Sequence, residues 1–89
     1  MTCIDVDSLA QYERDARTGR AEALYNLGLA YSTGQGVVQD YVAAHKWFNL
    51  AALKGRTDAI VMRREIAEQM SDVEIAVAQR DARDWMIAN

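Results

Sequence analysis

Tyr31 to Asp40 reads YSTGQGVVQD. Two glycines one residue apart, with an acid a little later, could cradle a phosphate, hold a metal or turn the chain. A dinucleotide fingerprint needs G-x-G-x-x-G after a strand and before a helix. Here Gln39 holds the third glycine's place, and a helical pattern comes before the loop. No Gly-Lys-Ser/Thr follows, so this is not a P-loop. A calcium loop needs several oxygen ligands at alternate positions, and only Asp40 is on offer. A turn accounts for every residue. Gly34 can take positive φ and end the helix that holds Tyr31. Gly36 lets the loop reverse tightly, and Val37 tucks an apolar side chain under it. Asp40 caps the next helix and favours its positive end, for about 1 kcal/mol.

The pattern on both sides is helical. Before the turn, Ala23, Leu24, Leu27, Ala30 and Tyr31 form one stripe at steps of three and four. After it, Ala44, Trp47, Phe48, Ala51 and Ala52 share a side, and Gly55 ends the run. Upstream, Ser8 and Gln11 are spaced as a capping box, and Gly19 is a natural helix stop. Downstream, Ala59, Met62 and Ile66 point inward, with Arg63 and Arg64 toward the other side. A last run opens with the Ser71–Glu74 capping box and lines up Ile75, Ala78, Ala82 and Trp85. No segment alternates with period two for long enough to make a strand, and the chain contains no proline to break a helix. The spacing predicts five helices at about 6–18, 20–32, 40–54, 57–68 and 72–87, and positive φ at Gly34 or Gly36 and at Gly55.

Gly55 follows Gly19 by 36 residues. At that offset Phe48 falls on Tyr12, Ala52 on Ala16, Arg56 on Arg20, Ala59 on Ala23 and Ile60 on Leu24. A helix end, a glycine turn and the next helix start repeat together. The period is that of helix–turn–helix solenoids, roughly 34 to 45 residues per unit.

Residues 21–55 resemble one full Sel1-like repeat, a relative of the tetratricopeptide repeat. The residues that carry the resemblance are Ala21, Ala23, Leu27, Gly28, Tyr31, Gly34, Gly36, Val37, Asp40, Ala44, Trp47, Ala51, Ala52 and Gly55. It implies an all-α fold: an antiparallel helix–turn–helix solenoid in a single domain. Residues 6–19 read as a degenerate half-repeat, 20–55 as the full repeat, 56–70 as a partial repeat and 71–89 as a capping helix. Arg64 stands where the offset expects the glycine of Gly28, and no second G-x-G-V follows, so the array should stop there.

Composition narrows the function. The chain has 89 residues, 51% apolar, and a net charge of −3. A mildly acidic chain without a basic stripe gives no support to nucleic-acid binding. No apolar run approaches the roughly 18 residues of a membrane span. The acidic opening does not read as a secretory signal, so a soluble cytoplasmic protein is expected. Cys3 is the only cysteine and forms no internal disulfide. His45, the only histidine, is expected on a helix surface or at an interface, since neither a catalytic set nor a metal set surrounds it. No cofactor, metal site or enzymatic activity is expected.

The resemblance implies a non-catalytic adaptor of a bacterial type that binds a peptide or helix of another protein. The first helix of each pair should line the concave side. Leu27, Gly28 and Tyr31 would then face the partner helix, leaving Glu22, Tyr25, Asn26 and Leu29 as a recognition patch with an exposed tyrosine and leucine. Gly34, Gly36, Asp40 and Gly55 have structural roles in turns and caps. The alternative is a self-assembling structural subunit. Ile4, Val6 and Ala10 have no evident partner, which suggests a homodimer through the N-terminal helix or a partner on that edge.

Overall fold

The computed structural model of the protein describes residues 6–89. Cys3, Ile4 and the side chain of Val6 lie outside that description. The described residues form five helices and no strand: α1 Val6–Arg17, α2 Ala21–Thr33, α3 Tyr41–Leu53, α4 Asp58–Ala67 and α5 Asp72–Ala88.

The repeat is visible in the hydrogen bonds of its turns. After α1, the N–H of Gly19 donates to the C=O of Ala16 at 2.9 Å, and Arg20 N–H to Asp15 C=O at 3.4 Å. After α3, Gly55 donates to Ala52 at 3.1 Å and Arg56 to Ala51 at 3.0 Å. Both are the same closure, in which a left-handed residue lets the next N–H reach back to the last free carbonyls. Gly19 and Gly55 supply that residue with φ of 83° and 101°.

Tyr31–Asp40 is a turn of another kind. Gly34 ends α2 in the left-handed region at φ 78°, with its N–H on Ala30 C=O. The Asp40 N–H donates to Tyr31 C=O at 2.8 Å and closes the loop at its base. The Asp40 carboxylate accepts from the N–H groups of Val42 and Ala43 at 2.9 and 3.2 Å, occupying two orphan donors at the start of α3. Val37 packs on the core while Val38 beside it is 87% exposed.

α3 is the hub of the molecule, packing against α2, α4 and α5. Phe48, Leu24, Leu27 and Leu50 are fully buried there, each contributing about 1.5–3 kcal/mol by leaving water. The α2–α3 pair closes tightly because Gly28 has no side chain. A Cβ at that position would stand 2.5 Å from Phe48 Cδ1. In the following unit, at the same offset, Arg64 replaces the glycine and Asp84 the phenylalanine. A large cation and a carboxylate cannot make that contact. Accordingly α5 leaves α4 almost untouched and packs on α3. It runs parallel to α3, since Lys46 interacts with Asp81 midway along the two helices while Lys54 shares a cleft with Trp85 and Met86 toward their C-terminal ends. Trp47 and Trp85 meet edge to face at 5.7 Å between ring centres.

Three local expectations are corrected. The helix already runs from Val6, so the expected capping box does not mark its start, and the side chain of Ser8 lies outside the description. The Gln11 amide instead donates to Asp15 and accepts from Arg14, one turn along the helix. Arg63 turns toward the neighbouring helix and donates to the Asn49 amide oxygen on α3. His45 is not on the surface: it is 4% exposed, with no hydrogen-bond partner for Nδ1.

Candidate interaction site

The face of α2 that carries Glu22, Tyr25, Asn26 and Leu29 is divided by its neighbours. Glu22 and Asn26 turn toward α1. With Tyr12, Asp15, Arg20 and Ala23 they line a shallow cleft of about 150 Å³. The cleft exists because the short Thr18–Arg20 turn brings the end of α1 beside the start of α2, where side chains splay apart. Its chemistry is mixed. Asp15 and Glu22 offer carboxylates, Arg20 a guanidinium and Asn26 an amide, over the half-buried Tyr12 ring. Arg20 is the N-cap of α2, yet no side chain bonds the first N–H groups of that helix.

Tyr25 and Leu29 turn the other way. Both are half-buried against the core, so neither is the exposed side chain that the stripe pattern suggests. The Tyr25 ring lies 5.5 Å from Phe48, tilted by 57°, and the Arg56 guanidinium stacks over it at 4.2 Å. Arg56 also bonds Asp58 at 2.8 Å and holds that carboxyl below the usual carboxylate range. Tyr25 therefore sits under a cation from the turn before α4. The Tyr31 hydroxyl lies on the rim of the core, where burial first, then Glu13 and Asp40, push its pKa up.

Tyr12, Asp15 and Arg20 escape sequence reasoning as site residues. The helical stripe assigns Tyr12 to the core, and Asp15 reads as one more solvated charge. Arg20 does carry a signal, since it recurs as Arg56 after the second repeat glycine. Among the described residues, no three His, Cys, Asp or Glu side chains gather as a metal set. No helix among them is long and apolar enough to cross a membrane.

Helices paired through glycine turns, with no strand among the described residues, define an all-α helical repeat fold. Residues 21–55 match the family model of the Sel1 repeat, consistent with a Sel1-like repeat in this stretch. Sel1 repeats are non-catalytic modules that generally mediate protein–protein interaction. No curated protein and no solved structure matches the chain.

Proposed function

We propose that the protein is an adaptor module without catalytic activity, holding a peptide or helix of another protein along α2. Glu22 and Asn26 provide polar recognition from the α1–α2 cleft. Tyr25 and Leu29 offer the exposed part of their half-buried side chains beside it. The observation that carries this reading is the cleft itself: Glu22 and Asn26, one turn apart, converge with Tyr12 and Asp15 of α1 and with Arg20 of the turn between the helices. Carboxylate, amide and guanidinium in one recess can pair with the backbone and side chains of a bound segment. The test is affinity capture from the source cell with wild-type protein and with Glu22→Ala/Asn26→Ala. A partner retained by the first and lost by the second, with unchanged circular dichroism, supports the reading. Equal retention by both removes this face.

A further inference from the structure

A second cleft lies at the end of the molecule where α1, α3 and α5, three parallel helices, finish together. It measures about 140 Å³ and is lined by Arg17, Thr18, Gly19, Lys54, Trp85 and Met86, with Asn89 at its edge. The Lys54 chain reaches across the α1–α2 turn, its Nζ only 3.4 Å from where a Cβ on Gly19 would stand. Neither Arg17 nor Lys54 has an ion-pair partner among the described residues. Cations at helix C-termini are ordinary compensation for the partial negative charge there, about half a unit at each end. That accounts for the presence of both residues. Because the helices finish together, both cations share one recess with an indole and an exposed thioether. Met86 is 48% exposed and Trp85 half-buried, so the floor is apolar and open. Two cations thus stand over a partly apolar floor on a chain of net charge −3.

We propose that this cleft docks an acidic–aliphatic segment of a partner protein. A glutamate or aspartate would bridge Arg17 and Lys54, and the neighbouring aliphatic side chain would rest on Trp85 and Met86. The argument is charge complementarity: two cations without ion-pair partners among the described residues share one recess with an indole. It is independent of the α1–α2 cleft, to which none of these residues belongs.

Trp85 makes the site readable. The chain has two tryptophans, so Trp47→Phe leaves Trp85 as the reporter. In that background an acetylated, amidated peptide alternating glutamate and leucine is titrated while indole fluorescence is followed. The expected result is a saturable change that weakens with added salt and is lost by at least about tenfold in Arg17→Gln/Lys54→Gln. Arg17→Lys/Lys54→Arg, which keeps both charges, should retain binding, and Glu22→Ala/Asn26→Ala should leave it unaltered. The proposal fails if the glutamine pair binds equally well. It fails if a lysine–leucine peptide or inorganic phosphate gives the same change. It also fails if sedimentation shows a dimer that the glutamine pair dissolves, because a second copy would then occupy the cleft.

Discussion

Gly28 lies against Phe48 so closely that the smallest added side chain has no room: a Cβ would approach three ring atoms at 2.5, 2.6 and 2.9 Å. An aromatic ring packed on all sides cannot yield as a flexible chain end would. Gly28→Ala should therefore lower stability by about 1–3 kcal/mol despite alanine's better helix propensity, measurable by urea unfolding. Asp40→Ala removes the acceptor of two N–H groups and should cost about 0.5–2 kcal/mol while leaving partner binding intact in folded protein. Tyr25→Ala should also lower the melting temperature, since it strips the ring between Phe48 and Arg56. It is thus a poor probe of binding alone, whereas Glu22 at the cleft rim is a clean one.

His45 contributes to the acid response of the fold. Burial first, then the Arg63 charge, hold its pKa below the ordinary 6.5. The unfolded chain therefore binds this proton at higher pH than the folded one. Stability is complete well above 6.5 and is lost as pH falls through that value toward the folded one. Denaturant midpoints for wild type should fall between about pH 7.5 and 5.5, and His45→Gln should flatten that slope.

At the scale of elements, α4 and α5 each lean on α3 and hardly on one another. Helices with a single packed neighbour open more readily than one held on several sides. Amide exchange should accordingly be slowest in α2 and α3 and faster in α4 and α5. Equal protection throughout would mean that the end of the array is as tightly coupled as its middle. The elements themselves were legible in the sequence. Glycines at fixed offset, the Asp40 and Ser71 caps and the apolar stripes mark the five helices to within a residue or two. Arg64 stands where the offset expects a glycine, and α5 does not pair with α4. What sequence could not convey was where α5 goes instead, because that depends on which face of α3 remains open once α4 is seated. The same limit explains Arg63 and His45. Asn49, the partner of Arg63, lies 14 residues away, and the burial of His45 comes from packing by a neighbouring element. The clefts were hidden for a further reason. Their residues come from different helices and share no spacing.

The molecule as a whole has two candidate contact regions, the α1–α2 cleft and the joint end of α1, α3 and α5. Its most exposed large apolar side chains, Val38, Val73 and Ile87, sit on a loop tip and at the two ends of α5. Scattered single side chains of this kind do not make a dimer interface. Of the residues behind the expected N-terminal dimer, Ile4 and the side chain of Val6 lie outside the description, and Ala10 is half-buried on α1. Sedimentation at tens of micromolar decides between the two readings. A dimer that dissociates on Ile4→Ser/Val6→Ser would establish the self-assembling alternative. A monomer would leave the two clefts as the contact surfaces.

The hydrogen bond from Asp40 to Tyr31 gives the repeat a practical property. It ties the two ends of the turn together, while Val38 between them stands 87% exposed. Entropy penalises a longer closed loop only slowly, by about 0.6 kcal/mol per doubling of length. Foreign residues spliced between Val38 and Gln39 should therefore be displayed outward without unseating Asp40 or Val37. The protein can serve as a small carrier for a grafted epitope.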